Sequence, residues 1–582
     1  MKIVLANAVG KDKEGYYIVH SPSRWSLGVK NYTNCSYYPW ELAYTSSLLK
    51  RETEYDIKLL DGVQKKWDFK AYFREISREK PDFFVMESSS RTIEEDKRLA
   101  GAVKNMLGAK IIFTGQHPTA FPQDVIDIAD YICIGEYEYT VLDIIKGVER
   151  ERILGLYPNK RRTLLDFNSL PFPEDDDISR IDYHEPNCEF KEIQMYASRG
   201  CPFSCSFCVA RHLYYGRPEW RPRNIQNIIS EIIYLKTKYP QMEGLFFDEE
   251  VHNVTKRFIL ELTKAIIKNN LSNLKYDAMC IYKTLDEETL DSMKEAGYYK
   301  IRIGIETNSD VIAKENQLGK KHDLRKLLSI LNYARNIGLK TYGTFTIGAL
   351  GSSKGEDKKT VNLIKKLSRE GLLADIQVSI NTPQPGTPFY RIAKEKGYIK
   401  AKKWNEFDGG NTPVVGYPDY SSEEIEETFK EALSAYDSGT HEYRREKFRE
   451  IAGYQLSKID KPNKILVLRS ARMWHMNLVL EILFDYYKKS VDILAQDNVV
   501  PLLSPDRRIN KLYSYGEGFF NPNNISKDLY KRLNNENYDT IVLAYNSTNR
   551  DSYKNIFDTI KNLNVNTIIG FFQDGRIREE KI

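Results

Sequence analysis

No apolar run in this chain approaches the roughly 20 residues that a membrane-crossing helix needs, so no spanning segment is expected. The opening MKIVLANAV has one lysine, a very short apolar stretch and no cleavage-like site. It reads as a first β-strand, not a signal peptide. Cysteine is scarce: seven in 582 residues cannot form the disulfide framework of a secreted protein. Charge of one sign is scarce as well. Lys and Arg number 86 against 81 Asp and Glu, a net of +5 that makes no case for nucleic acid as a partner. These absences point to the cytoplasm, a reducing compartment. The length allows three or four domains, and 41% hydrophobic with 29% charged residues is ordinary for a globular chain.

What is present concentrates in one loop. Cys201, Cys205 and Cys208 stand in RGCPFSCSFCVAR with the spacing C-x3-C-x2-C, while Cys35, Cys133, Cys188 and Cys280 are scattered and read mostly as small buried hydrophobes. Iron–sulfur clusters are held by cysteine thiolates, normally four. Three close thiolates without a fourth suggest a cubane cluster with one iron open to a substrate or cofactor. The alternative is zinc, which accepts Cys3His, with His212 four residues after Cys208 as the fourth ligand.

The order of strand and helix signals around the loop predicts an α/β chain in several parts. Residues 1–148 alternate apolar strands (KIVLAN, DIKLLDG, DFFVMES, KIIFTGQ, DYICIGE) with helices such as YPWELAYTSSLLKR, the pattern of a doubly wound, Rossmann-like domain. Ligands of such sheets sit at the carboxyl ends of the strands, where Thr114, Gly115 and His117 fall in one loop and Gly135 and Glu136 in another. Residues 149–190, with LDFNSLPFPEDDD, read as a solvated linker. Residues 191–395 repeat strand and helix six times: EIQMYAS, GLFFDEE, LKYDAM, KIRIGIE, KTYGTFTIG and DIQVSIN, with Ile225, Ile228, Ile229, Ile232 and Ile233 at helical intervals after the first. Six units make a partial (β/α)6 barrel of TIM type, whose chemistry belongs at the C-terminal ends of the strands, the rim the cysteine loop occupies. Residues 396–459 read as a mostly helical cap or spacer. Residues 460–582 begin again with strand and helix and read as a small Rossmann-like domain, with Trp474 and His475 as candidate pocket residues.

The cysteine loop resembles the signature of the radical S-adenosylmethionine (SAM) enzymes. Phe207, directly before the last cysteine, matches that family's aromatic beside the adenine of SAM, and YYGRPEWRPRNIQNIISEI resembles the family's segment on the C-terminal side of the loop. The resemblance implies that Cys201, Cys205 and Cys208 bind a [4Fe–4S] cluster whose open iron chelates SAM. An electron from a reductant such as flavodoxin or ferredoxin then cleaves SAM to a 5′-deoxyadenosyl radical. It places further cofactor contacts at Gly304 and Glu306 (fourth strand), Gly348 (fifth) and Gln377 (sixth), and candidate catalytic carboxylates at Glu249 and Glu250 (second). An arginine common near Ile281 or Tyr282 is absent, leaving Lys283, Arg221 or Arg223 to meet the SAM carboxylate.

GQHPTA and CIGEYE resemble loops of the cobalamin-binding domain that precedes the barrel in one radical SAM class. This implies cobalamin near Thr114, Gly115, His117, Gly135 and Glu136. The Asp-x-His-x-x-Gly motif that supplies a histidine to cobalt is absent, so cobalamin is expected without that ligand. The class implies C-methylation of an unactivated carbon, with cyclisation, oxidation or rearrangement without methyl transfer as the alternative. The substrate class stays open among small molecules, sugars, lipids and peptides. A non-enzymatic zinc or nucleic-acid binding protein is the reading from another class.

Overall fold

Apolar segments of four to nine residues, bounded by turn residues, form three large and mainly parallel sheets. The computed structural model describes residues 1–8, 10, 11, 15, 17–21, 25–29, 37–185, 187–319, 323–408, 410–518, 520–546 and 553–581, without the side chains of 20, 21, 25–29 and 581. Cys35 lies outside these residues. Two compact units divide the chain, Met1–Tyr436 and Asp437–Ile582. Among the described residues no helix is long and apolar enough to cross a membrane.

The first sheet contains Lys2–Asn7, Asp56–Leu60, Phe83–Ser88, Lys110–Gly115 and Tyr131–Ile132, in the spatial order second, first, third, fourth, fifth, all parallel. Parallel strands are covered on both faces, which is why FFVMES is buried throughout. Leu5, Val85 and Ile112 share a core with helix Trp40–Glu52, whereas Val4, Phe84 and Phe113 share one with helices Phe69–Glu79 and Ile93–Leu107. The order reverses between the first and third strands, and a ligand crevice opens at such a switch point.

The second sheet contains Glu192–Met195, Gly244–Phe247, Lys275–Cys280, Tyr298–Glu306, Lys340–Ile347 and Asp375–Ile380. These six strands are parallel and adjacent in chain order, and the first does not pair with the sixth. The result is the open half-barrel the sequence predicts. In helix Ile225–Lys238, Ile228, Ile229 and Ile232 are buried while Ile233 is exposed, because the helical period turns it off the buried face.

Three segments differ from expectation. The cysteine loop is entered by a strand, Ser198–Cys201, that pairs antiparallel with Glu219–Pro222. The linker is not solvated: Glu174 takes Lys50 and Ser46, Asp177 takes Lys50 and Lys58, and Asp175 takes Tyr234 and Tyr239 of the first barrel helix. Its acidic run straps the first sheet's domain to the barrel. Residues 396–421 are largely irregular, since GGNTPVVGYP supplies helix breakers, and the charged segments after them form one helix, Ser422–Leu456.

In the second unit, strands Ile465–Leu468, Val491–Ala495, Ile509–Ser514, Thr540–Tyr545, Thr567–Phe572 and Ile577–Lys581 lie in the order third, second, first, fourth, fifth, sixth, the last antiparallel. This is the Rossmann order with an added edge strand. His475 is buried there, against Trp474 and Phe448.

The Pro-Gly-Thr-Pro stretch after the sixth barrel strand meets the His-Pro-Thr-Ala turn of the first domain. Gly386 has φ +90°, and a Cβ built on it would lie 2.6 Å from Cβ of Ala120 and 2.8 Å from Cδ2 of Leu213. Gly386→Ala is expected to cost about 1–3 kcal/mol through overpacking, read as a lower denaturant midpoint. An unchanged midpoint would show that the two segments are not tightly apposed.

Candidate functional site

The cysteine loop is pinned from both sides of the barrel rim. The Ser206 amide donates to the Asn316 carbonyl (2.9 Å) and its hydroxyl to Oδ1 of Asn316 (3.0 Å), while the Phe389 amide donates to the Ser206 carbonyl (3.0 Å). Asn316 is itself held by the carbonyls of Ile312 and Leu350. Within the loop the Cys208 amide reaches the Cys205 carbonyl at 3.1 Å. Nε2 of His212 is 3.0 Å from that same carbonyl, so the imidazole is engaged in bracing the loop backbone and is poorly placed as a fourth zinc ligand. The three sulfurs and Phe207 are half-buried, with Phe207 packed on the barrel core. Arg211, three residues on, is half-buried too. Burial pulls its guanidinium below the usual range while Cys208 and Cys201 act the other way, and its buried Nε has no hydrogen-bond partner among the described residues. Three thiols beside one underused cation suit an anionic, thiolate-held cluster.

The carboxylates expected to do chemistry here hold the loop instead. Glu249 is fully buried: one oxygen meets Nδ1 of His252 at 2.6 Å and the other accepts the Ala197 amide at 3.2 Å. Glu250 accepts the Gly200 amide, next to Cys201, at 2.9 Å and the Tyr215 hydroxyl at 3.0 Å. Both carboxylates expected to be catalytic thus contact the hairpin that enters the cysteine loop. Glu136, expected beside a cofactor, contacts the same hairpin. Arg221 grips it through both terminal nitrogens (2.8 and 3.0 Å), and Arg199 contacts it at 3.2 Å and Glu138 at 2.5 Å. Arg199 and Arg221 are cross-strand partners on the hairpin. Arg223 is held by Glu231 and by the Tyr196 carbonyl. Neither Arg221 nor Arg223 is therefore placed to meet a SAM carboxylate.

The remaining rim residues follow the strand ends. Gly304 and Glu306 flank a register shift against the fifth strand, and Glu306 has φ +65°, a conformation uncommon outside glycine that local structure must impose. The Glu306 side chain is half-buried. Gln377 is exposed, with its amide 3.1 Å from the Ser379 hydroxyl. Gly348 is a packing glycine: a Cβ there would meet Ile425 at 2.7 Å, its amide donates to Asp357 and its carbonyl accepts from Tyr417. Lys283 reaches the Gly319 carbonyl at 3.3 Å.

At the first sheet, Thr114 is buried with Oγ1 unpartnered among the described residues. Gly115 has φ +99° and lies against the Ser88 backbone; Gly135 has φ +74° and lies against Arg161. His117 is buried, with Nδ1 3.0 Å from Ser90 and Nε2 3.0 Å from Asp124, and burial depresses it to about 4. Both ring nitrogens are occupied, so no vacant imidazole ligand exists at this position. At the switch point a cleft of about 840 Å³ opens between Gly10, Lys11 and Arg91 of the first domain and Tyr390, Trp404 and Phe407 from beyond the sixth barrel strand. The cleft is large enough for a cofactor, but Thr114, Gly115, His117, Gly135 and Glu136 are not among its lining residues.

The family models match in two places: the radical SAM superfamily over residues 195–364 and the B12 binding domain over residues 35–145. The chain thus carries a radical SAM domain with a B12-binding domain ahead of it. An uncharacterised methyltransferase of Pyrococcus horikoshii is 25% identical over 415 residues, covering 68% of this chain and 87% of that one. The bacteriochlorophyllide d C-8(2)-methyltransferase of Chlorobaculum tepidum is 24% identical over 342 residues, 56% and 72% of the two chains. The radical SAM methyltransferase TsrM of Kitasatospora setae, solved with cobalamin and a [4Fe–4S] cluster bound, has the same fold, with a TM-score of 0.54 at 13% identity over 76% of this chain and 90% of that one.

The bracing residues Asn316, Arg199, Glu138 and Arg211 escaped sequence reasoning. For Arg211 a signal existed, a cation three residues after the last cysteine; for the others the partners lie about 60 or more residues away.

Three outcomes test this geometry. Removing one member of a buried ion network leaves the others uncompensated, so Glu136→Ala is expected to cost about 3–5 kcal/mol in denaturant unfolding. For His117, the unfolded chain takes up a proton below about pH 6.5 that the folded chain refuses until about 4. Stability should fall as pH drops through that window, and His117→Asn should flatten the fall in midpoint-against-pH curves. Glu306→Gly should relieve roughly 1–2 kcal/mol of left-handed strain and raise the thermal midpoint while lowering SAM cleavage; unchanged cleavage would remove the side chain from the site.

Proposed function

We propose that this radical SAM enzyme is a cobalamin-dependent C-methyltransferase acting on an unactivated carbon. The observation that carries the reading is the joining of the two matched domains. The cysteine hairpin of the radical SAM domain is clamped by Glu136 and Glu138 of the B12-binding domain, so the cysteine loop is anchored on that domain. The relatives named as methyltransferases support the same direction.

In this proposal Cys201, Cys205 and Cys208 hold a [4Fe–4S] cluster, Arg211 offsets its negative charge, and Phe207 stacks beside bound SAM. Gly304 and Glu306 offer a carbonyl and a carboxylate to SAM's amino group or ribose, and Gln377 an amide on the opposite strand. Gly348 contributes by letting helix Ser422–Leu456 close on the fifth strand. Thr114, Gly115 and Gly135 would border the corrinoid, with the imidazole of His117 held by Ser90 and Asp124. When bound, these cofactors supply a carbon-centred radical from SAM and a transferable methyl group, while the protein orients them and excludes water. A flavodoxin or ferredoxin is the proposed reductant, and the substrate is a small molecule, sugar, lipid or peptide.

Anaerobic reconstitution with SAM and methylcobalamin tests this. Both 5′-deoxyadenosine and S-adenosylhomocysteine are expected; 5′-deoxyadenosine alone would replace methyl transfer by cyclisation, oxidation or rearrangement. Cys205→Ala should abolish both products and lower iron content, and retained iron and SAM cleavage would overturn the cluster assignment.

A further inference from the structure

A second set of metal-type donors lies at the opposite end of the barrel strands from the cysteine loop. Cys188 ends the linker, Glu192 opens the first strand and Asp277 is on the third. One ligand atom from each lies within 4.8 Å of the others. Glu192 is 4% exposed and Asp277 fully buried. Each carboxylate spends only one oxygen on the protein. Oε1 of Glu192 accepts from the Tyr299 hydroxyl (2.6 Å) and the Phe190 amide (3.3 Å); Oδ2 of Asp277 accepts from Arg302 (2.6 Å) and Lys300 (3.1 Å). Oε2 of Glu192 and Oδ1 of Asp277 have no hydrogen-bond partner among the described residues. An unpaired buried carboxylate oxygen is costly, and here two of them converge with a thiol.

We propose that Cys188, Glu192 and Asp277 form a zinc site in the floor of the half-barrel. Glu185 borders the floor, pairing with Arg302 at 2.7 Å. The Cys188 sulfur is 3.5 Å from an Arg302 nitrogen and 3.7 Å from Oε2 of Glu185, and zinc would take it as the thiolate, displacing its proton. The sulfur ligand selects zinc over magnesium or calcium, which take oxygen. Zinc–ligand bonds of about 2.0–2.3 Å put tetrahedral ligands roughly 3.3–3.8 Å apart, so small side-chain rotations close the set, with water in the fourth place. Cys188 is half-buried, which leaves a path from solvent. The ion would lock the linker to the first and third strands.

The test uses the full chain with Cys201, Cys205 and Cys208 all changed to Ala, so that neither iron nor cluster thiols interfere. Zinc alone, followed by desalting and elemental analysis, should leave about one equivalent bound. Cobalt(II) in its place should give a thiolate-to-cobalt charge-transfer absorption. Adding Cys188→Ser should remove that absorption and weaken zinc at least tenfold in competition with a chromophoric chelator, with circular dichroism unchanged. Less than a tenth of an equivalent of zinc, or zinc affinity unaltered by Cys188→Ser, would overturn the proposal. Should Cys188→Ser fail to fold, absence of the cobalt absorption in the parent chain overturns it alone. None of these outcomes bears on SAM cleavage, so this site and the methyltransferase reading stand or fall separately.

Discussion

Glu136 sits between two arginines that are neighbours across one short hairpin, and the working end of the molecule depends on that contact. Arg199 and Arg221 are paired residues of the strands that enter and leave the cysteine segment, Glu136 belongs to the loop after the last strand of the first sheet, and Glu138 opens helix Glu138–Ile145. Burying four charges costs desolvation that only good geometry and extra hydrogen bonds offset. Such a network tolerates few arrangements, which is its use here. It fixes the orientation of the hairpin, and with it Cys201, against the B12-binding domain. Glu249 and Glu250 perform the same service from the barrel side by capping the amides of Ala197 and Gly200. Asn316 does so from the fourth barrel unit, through Ser206.

Several acidic residues near the site are thereby held by the protein itself: both oxygens of Glu136 take Arg199, Arg221 and the Leu165 amide, and those of Glu249 take His252 and the Ala197 amide. Arg211 at Nε and Thr114 at Oγ1 hold buried atoms with no hydrogen-bond partner among the described residues. Thr114 stands near the end of its strand, where α/β sheets bind ligands.

The strands of the first two sheets were legible because they are apolar, short and punctuated, and the half-barrel followed from counting six such units. The cysteine loop was legible because its spacing is itself the chemistry. The hairpin was not: SRGC and EWRP have no alternation of apolar and polar residues, and their pairing spans a loop. The protein contacts of Glu136, Glu249 and Glu250 were not legible for a related reason. A glutamate at a strand end looks the same in sequence whether it faces a ligand or an arginine some 60 positions away. The linker's acidic run likewise resembles a solvated segment until Lys50, Lys58 and Tyr239 appear beside it. In each case the missing information was a long-range partner, which no local pattern carries.

The proposed function places an iron–sulfur cluster on the cysteine loop and a cobalamin on the neighbouring domain, without His117 as a cobalt ligand. Electron paramagnetic resonance of the anaerobically reduced protein, loaded with both cofactors, tests it most directly. The expected result is a cob(II)alamin signal without nitrogen splitting from an axial ligand, together with the signal of a reduced cluster. A nitrogen-split cobalt signal, or no cobalamin retained beside an intact cluster, would contradict it.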